Sequence, residues 1–156
     1  MTIKTGDFTR AIGKGLVAGA IGTAAMTLSS TAEARVRKRE PSTVPAQAAR
    51  KILGLEPSEP EAAAKLTRVV HWGYGISWGA IRSVLGTLGL RAPIATAVHF
   101  SAIWGSELLV LPALDVTPPI KKWSRTDLAI DATHHFVYVA ATSGAYALLN
   151  SARRHR

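Results

Sequence analysis

Four long stretches of the chain consist mainly of Ala, Gly, Leu and Val, and the Lys and Arg residues gather at the ends of these stretches. A helix of about 20 apolar residues, rising 1.5 Å per residue, crosses the hydrocarbon layer of a bilayer. The first stretch, residues 11–34, exceeds that length, and the basic segment 35–39 follows it directly. The sequence therefore predicts an all-α fold, a four-helix transmembrane bundle. We expect the helices at about 9–39, 59–88, 92–112 and 124–152 of a single membrane domain (1–156), with a Pro-rich extramembrane loop at about 40–58.

The chain carries a formal net charge of +9, which is typical of three classes of protein. Nucleic-acid binders place their cations along an element that follows a groove, and peripheral proteins present them to anionic lipids. In multi-pass membrane proteins the cations flank the spans and set their orientation. The middles of the apolar stretches hold almost no Lys or Arg, so the pattern favours the third class, with the lipid bilayer as partner and no nucleic acid. The clusters are Lys4, Arg10 and Lys14; Arg35, Arg37, Lys38 and Arg39; Lys121, Lys122 and Arg125; and Arg153, Arg154 and Arg156.

The same cations bear on the topology. Four spans place both termini on one side, which then carries eight Lys and Arg residues, whereas the other side carries eleven. The positive-inside rule therefore leans towards a cytoplasmic location for the segment 35–68. The first stretch is rich in Gly and Thr and is followed by arginines, a pattern atypical of a cleaved signal peptide. We expect it to be retained as the first helix.

Five glycines lie where two of the predicted helices would pack. Gly15, Gly19 and Gly22 lie close to one face of the first helix, and Gly15-x-x-x-Gly19 is the small-residue motif that lets two helix backbones approach. Gly75 and Gly79 repeat the same spacing on the second helix. We expect these positions to form helix–helix contacts; the alternative is that Gly is simply common in such stretches.

Prolines and polar capping residues mark where the helices begin and end. Residues 46–53 either form a short amphipathic helix on the lipid headgroups, closed by a glycine, or remain a solvated loop. Ser58-x-x-Glu61 and Ser124-x-x-Asp127 fit N-terminal capping boxes. The Pro-Pro pair before the last helix predicts a rigid turn.

Polar residues inside the apolar stretches recur at helical spacing, so each set shares one helix face. Ionisable groups at membrane depth are costly and usually face the interior of a bundle. We therefore expect these stripes to converge in the middle of the molecule. They comprise Thr23, Thr27 and Ser30 on the first helix; Arg68, His71, Gly75, Trp78 and Arg82 on the second; Thr96, His99, Ser106 and Glu107 on the third; and Asp127, Asp131, His134 or His135, Tyr138 and Thr142 on the fourth.

The adjacent pair His134-His135 is a special case within these stripes. Side chains one residue apart on a helix point about 100° away from each other, so the two imidazoles cannot serve one site. We expect one of them to face the bundle and the other a boundary.

A polar interior of this composition permits four interpretations. The side chains can hydrogen-bond between helices and fix one packing, each bond contributing about 0.6–2 kcal/mol. Alternating imidazoles and carboxylates also suit a proton or ion path. The imidazoles of His71, His99 and His135, from three different helices, can in principle ligate haem iron or a metal, although the sequence itself assigns no cofactor. The stripes can also face a partner subunit.

Sequence motifs of catalysis are absent. The chain has no Gly-x-Ser-x-Gly elbow, no phosphate-binding loop and no His-Glu-x-x-His, and the lack of Cys excludes thiolate chemistry and disulfides. We therefore predict a non-enzymatic integral membrane protein without catalytic or metal-binding residues, either a structural or accessory subunit of a larger membrane complex or a homo-oligomer. The alternative is a small proton or ion channel or transporter that uses its intramembrane polar groups. Those candidates are His71, Arg82, His99, Glu107, Asp131, His134, His135 and Tyr138.

Three stretches resemble those of small multi-pass membrane proteins of actinobacterial type. They are residues 19–27 (GAIGTAAMT), 71–75 (HWGYG) and 111–119 (LPALDVTPP), the last followed by Asp131 and the His134-His135 pair. The order of a first helix, a Pro-rich loop, a His-bearing helix, a Thr-Pro-Pro turn and a His-bearing last helix is also distantly similar to the YagU-like inner membrane family. The resemblance covers most of the chain in organisation and implies a location in the bacterial cytoplasmic (inner) membrane. It implies no activity and no catalytic residues.

Overall fold

The computed structural model describes residues 5–55 and 59–151, and over these ranges it is helical, with no strand. The predicted all-α class is confirmed. Four helices are long and one is short. In chain order they are α1 (Thr5–Arg37), α2 (Val44–Leu53), α3 (Pro60–Thr87), α4 (Ala92–Ala113) and α5 (Arg125–Ser151), with one 3₁₀ turn at Ile120–Lys122 ahead of α5.

The helices begin and end close to the positions that the prolines and polar capping residues predict. α1 begins four residues before the predicted position and ends two residues before it, whereas α3, α4 and α5 keep within one residue of the expected bounds. Residue 152, the expected end of α5, lies outside the described ranges. Lys38 follows the last residue of α1, and Asp115 lies two residues after the end of α4; both adopt positive φ angles (53° and 54°). This left-handed conformation is a common way for a helix to stop.

Of the two sequence alternatives for the segment after α1, the helical one is observed. α2 begins at Val44, two residues earlier than expected, and ends at Leu53. Gly54 caps it with a φ of 64°, and its N–H donates to the carbonyl oxygen of Arg50 at 2.9 Å. α2 packs against α3 and buries Ala46 and Ala49 in that contact. The Pro-rich segment is therefore a short helix that lies along α3, with short connections on either side.

The two expected capping boxes have different outcomes. Before α5, the Ser124 hydroxyl accepts a hydrogen bond from the backbone N–H of Asp127 at 3.0 Å and donates to its carboxylate at 2.7 Å. A reciprocal arrangement of this kind satisfies N–H groups that the first turn leaves open. Ser58 lies outside the described residues, and Glu59 precedes α3 in an extended conformation without a side-chain cap.

α1 makes the most extensive helix–helix contacts of the bundle. It packs along most of its length against α3 on one side and α5 on the other, whereas α4 lies outside this group and contacts α3 and α5. The interior therefore lies between α1 and the facing sides of α3, α4 and α5.

Glycines bring α1 and α3 into backbone contact. A methyl group on Gly15 would lie 2.5 Å from the carbonyl oxygen of Gly79, and one on Gly19 would lie 2.9 Å from the Cα of Gly79. Both distances are far below ordinary van der Waals contact, so the helices approach this closely only because both lack side chains here. Gly75 faces the same interface, where it meets Thr23, whereas Gly22 faces α5. The five glycines singled out in the sequence thus lie at helix–helix contacts.

Polar side chains share the interior of the bundle with small apolar and aromatic ones, and many large apolar side chains lie on its outside. Leu28 of α1, Leu109 of α4 and Leu148 of α5 are 72%, 71% and 72% exposed. This distribution is the reverse of the usual one in water-soluble proteins, where leucine is among the most often buried residues and arginine among the least. The buried polar and charged side chains are Thr23, Arg82, Ser83, His99, His134, His135 and Thr142.

Two helices of the described chain are long and apolar enough to cross a membrane by length and composition. They are residues Gly6–Arg37 of α1 and Ala92–Ala113, the whole of α4. The sequence predicted four spans. α3 and α5 are long enough, but the polar residues of their stripes lower their average hydrophobicity.

Candidate functional site

The strongest polar contact between helices joins His135 of α5 to Glu107 of α4. The Nε2 atom of His135 lies 2.8 Å from a carboxylate oxygen of Glu107, and its Nδ1 atom lies 2.9 Å from the backbone carbonyl oxygen of Asp131, one turn earlier on α5. The imidazole is 3% exposed and the Glu107 side chain 24% exposed. The contact with the Asp131 carbonyl oxygen fixes the orientation of the imidazole. The Glu107 carboxylate then binds the imidazole to α4.

These two contacts of His135 fix the number of protons that the pair carries. A carbonyl oxygen only accepts, so Nδ1 carries a proton. A deprotonated Nε2 and a carboxylate oxygen would both be acceptors, so a second proton lies between them. The His135–Glu107 pair is therefore either imidazolium with carboxylate or imidazole with carboxylic acid, and it is electrically neutral as a unit in both forms. A neutral pair is far cheaper to bury than a single charge.

Two further contacts extend this group across the bundle. The indole N–H of Trp104 on α4 donates to the Asp131 carboxylate at 2.9 Å. The Nε2 atom of His71 on α3 lies 3.1 Å from the hydroxyl of Thr27 on α1. We call His71, Trp104, Glu107, Asp131 and His135 the histidine–carboxylate cluster; together with Thr27 it draws on all four long helices.

The expectation that one residue of the His134-His135 pair faces a boundary is wrong. Both imidazoles are buried, because α5 has neighbours on two sides about 100° apart: α4 beside His135 and α1 beside His134. Nδ1 of His134 shares a 2.9 Å hydrogen bond with the Ser29 hydroxyl, and its Nε2 lies 3.7 Å from the Glu33 carboxylate. Glu33 also pairs with Arg39. The two imidazoles thus belong to separate contacts.

Beyond these polar contacts, towards the N-terminal end of α1 and the C-terminal end of α5, aromatic side chains line the interior. Tyr138 of α5 is fully buried and donates its hydroxyl to the carbonyl oxygen of Gly75 on α3 at 2.6 Å. His99 is 0% exposed, and its ring lies 6.0 Å from that of Trp78 and 5.8 Å from that of Tyr138. Within the described part of the chain neither ring nitrogen of His99 has a hydrogen-bond partner. His99 therefore packs as an aromatic ring in this layer.

Arg82 lies beyond the aromatic layer, nearer the ends of α3 and α5. It is 3% exposed, its Nε atom donates to the Ser143 hydroxyl at 3.0 Å, and its guanidinium carbon lies 5.1 Å from the centre of the Tyr146 ring. The Ser143 hydroxyl also accepts a hydrogen bond from Thr96 of α4 at 2.9 Å. Three helices meet at this point.

The structure does not bring all the stripe residues into the interior. Arg68 and Asp127 are exposed at the ends of their helices, where Asp127 lies 3.5 Å from Arg37. It also shows partners that sequence reasoning did not single out as site residues: Ser29, Trp104 and Ser143. Ser29 and Ser143 each lie next to a stripe residue in sequence, and adjacency of this kind is the only signal that the sequence carried.

The arrangement of the histidines bears on the haem or metal interpretation. His135 uses both ring nitrogens in protein contacts, and His71 uses one. Across residues 5–55 and 59–151 there is no group of three His, Asp or Glu side chains placed to hold a metal ion.

The chain matches no protein-family model, no curated protein and no solved structure.

Proposed function

We propose that the chain is an integral membrane protein of the bacterial cytoplasmic membrane in which α1, α3, α4 and α5 all span the bilayer. The observation that carries the proposal is the reversed distribution of side chains, with polar groups inside and large apolar groups outside. In water each exposed leucine forgoes about 1.5–3 kcal/mol of burial free energy, and each buried ionisable group adds a desolvation cost. In a bilayer the apolar exterior is solvated by acyl chains and the polar groups pair inside.

The lengths of α3 and α5 support their inclusion among the spans. They contain 28 and 27 residues, which gives about 40 Å at 1.5 Å per residue and exceeds the ~30 Å of the hydrocarbon layer. Arg82 of α3 and His135 and Thr142 of α5 are buried in the bundle. The outer faces of the two helices carry side chains such as Val69, Ile81 and Phe136. A hydropathy average mixes the two faces and therefore understates how apolar the lipid-facing side is.

The polar groups of the interior act as ties between helices. The contacts Thr27–His71, Ser29–His134, Glu107–His135, Arg82–Ser143 and Tyr138–Gly75 each join two different helices. In membrane helices ties of this kind contribute about 0.6–2 kcal/mol each and fix which faces pack together. This use of the imidazoles and carboxylates favours a non-enzymatic, structural or accessory role in a membrane complex or homo-oligomer.

The absence of cysteine in the chain allows a direct test of the topology. Ser42→Cys, Arg91→Cys and Lys121→Cys are made singly and labelled with a membrane-impermeant maleimide, in intact cells and after lysis. Four spans place positions 42 and 121 on one side and position 91 on the other. If only α1 and α4 span, positions 42 and 91 share a side and position 121 lies opposite.

The labelling pattern distinguishes between four spans and two. The wild-type chain is the control, since it has no thiol to label. We expect the four-span pattern. The positions that react in intact cells lie outside the cell, so they also give the orientation of the chain. The two-span pattern would reduce the proposal to α1 and α4. A protein that stays in the supernatant after high-speed sedimentation of lysed cells would refute membrane insertion altogether.

A second candidate function, proton transfer, is favoured by one specific observation. The proton between His135 and Glu107 lies between two basic groups within hydrogen-bond distance, and a second carboxylate, Asp131, has an oxygen 3.8 Å from the imidazole. Alternating imidazoles and carboxylates are the groups that proton pathways use. The chain would then be a small proton channel or transporter.

Proton flux into proteoliposomes tests this second candidate. Glu107→Gln keeps the shape and the hydrogen bonding of the side chain but removes its ability to ionise. The matched control is Glu61→Gln, which makes the same change at an exposed position in the first turn of α3. Proton transfer predicts flux that Glu107→Gln abolishes and Glu61→Gln retains. Wild-type flux no higher than that of empty vesicles removes this function.

A further inference from the structure

Arg82 is a buried cation without a carboxylate partner. It contacts the Ser143 hydroxyl and the Tyr146 ring, and over residues 5–55 and 59–151 no carboxylate oxygen lies within 4 Å of its guanidinium. The Ser143 contact uses one of the five N–H donors of the side chain. A single positive charge in a low-dielectric interior is expensive, and an anion placed nearby lowers that cost.

An open cleft lies one turn further out from Arg82. It measures about 170 Å³ and is formed where the first turns of α1 meet the last turns of α3 and α5. Arg10 and Lys14 line it on α1, and Lys14 donates to the side-chain oxygen of Asn150 at 2.8 Å. Asp7, one turn before Arg10, contributes the only negative charge among the lining residues.

Tyr146 links this cleft to Arg82. One part of its side chain lines the cleft, and the ring packs against Gly86, where an added methyl group would lie 3.0 Å from the ring. The Arg82 guanidinium also lies over this ring, with its carbon 5.1 Å from the ring centre. The two cleft cations and the buried one therefore act on the same small volume, with a net charge of +2 after Asp7 is counted.

We propose that this cleft binds the phosphate group of an anionic phospholipid. The inference rests on the proposed membrane insertion, which places the ends of α1, α3 and α5 at the level of the lipid headgroups. A phosphodiester is small enough for the cleft, and basic pockets between transmembrane helices are known to bind anionic headgroups. A lipid is preferred to a soluble anion because headgroups are concentrated at this level and are tethered there.

The test compares lipid binding by charge-neutralised variants of the full chain in detergent, measured by titration with phosphatidylglycerol. The test variant is Arg10→Gln with Lys14→Gln. The matched control is Lys121→Gln with Lys122→Gln, which removes two exposed cations at the opposite end of the bundle. Loss of the cleft cations is expected to weaken phosphatidylglycerol binding by roughly tenfold or more, whereas the control changes it less than twofold. Phosphatidylcholine, with the same phosphate but no net charge, is expected to bind more weakly than phosphatidylglycerol.

Three results would overturn this assignment. Equal losses in the two double variants would mean general attraction to a basic protein. Equal binding of phosphatidylcholine and phosphatidylglycerol would mean that the cleft does not select lipids with a net negative charge. Inorganic phosphate that competes with the lipid at equal concentration would assign the cleft to a soluble anion. In each of these cases a chain that sediments with membranes leaves the proposed function standing, whereas one that stays in the supernatant removes both proposals.

Discussion

Replacing Gly79 with alanine should destabilise the bundle by separating α1 from α3. The added methyl group would lie 2.5 Å from the Cα of Gly19 and also against the carbonyl oxygen of Gly15, whereas ordinary contact begins near 3.4 Å. The two helices must therefore move apart by roughly 1 Å at this point. A gap of that size forfeits a quarter to a half of the dispersion attraction across the interface, and overpacking of this kind costs about 1–3 kcal/mol. Alanine returns about 0.5–1 kcal/mol through its higher helix propensity, so we expect a net loss of about 1–2 kcal/mol.

Thermal melting of purified protein in a mild detergent measures this effect. The control is Gly73→Ala on the same helix, where an added methyl group meets nothing within 4 Å. Because the control gains helix propensity without a clash, it should melt at or above the wild-type temperature, and Gly79→Ala should melt below it. If Gly79→Ala melts as high as Gly73→Ala, the close approach of the two helices is not a source of stability and the packing argument fails.

Four further substitutions separate the roles of individual polar groups, each followed by the same melting experiment. Glu107→Leu should lower the melting temperature, because it leaves Nε2 of His135 buried without a partner at a cost of about 1–3 kcal/mol; an unchanged melt would count against an interior role for this carboxylate. Thr142→Val should be neutral or stabilising, since that hydroxyl has no partner among the described residues, whereas Thr27→Val loses a bond to α3 and should be destabilising; identical melts would contradict the comparison. His99→Phe should hold or raise the melting temperature, because neither ring nitrogen is paired and both flanking rings are aromatic; a clear drop would refute this.

The helices themselves could be read from the sequence because their signals are local. Charge clusters, prolines and capping residues act over a few positions, so the ends of α3, α4 and α5 fell within one residue of expectation. Helical spacing also identified interior faces, since His99, Tyr138 and Arg82 are all buried. These inferences need only the periodicity of one helix at a time.

The pairing of the polar groups could not be read in the same way. Which residue His134 meets depends on the rotation and register of α1 against α5, and these are set by the summed packing of the whole interface. The sequence therefore gave no reason to prefer Ser29 for His134, and it suggested a boundary position for one of the two imidazoles. The partners of α1 could likewise not be predicted, because Gly15 and Gly22 lie on neighbouring parts of one helix and yet face different helices, α3 and α5 respectively.

The packing of α1 against α3 and α5 has a consequence for biosynthesis. α1 leaves the ribosome first, yet its two main neighbours are α3 and α5, and α5 is made last. The side of α1 that carries Gly22 and Ser29 faces α5, and it therefore stays uncovered until α5 has been translated. A nascent chain that stops after α4 would expose Gly22 and Ser29, the surface that α5 covers in the finished protein, to quality-control proteases and to foreign helices.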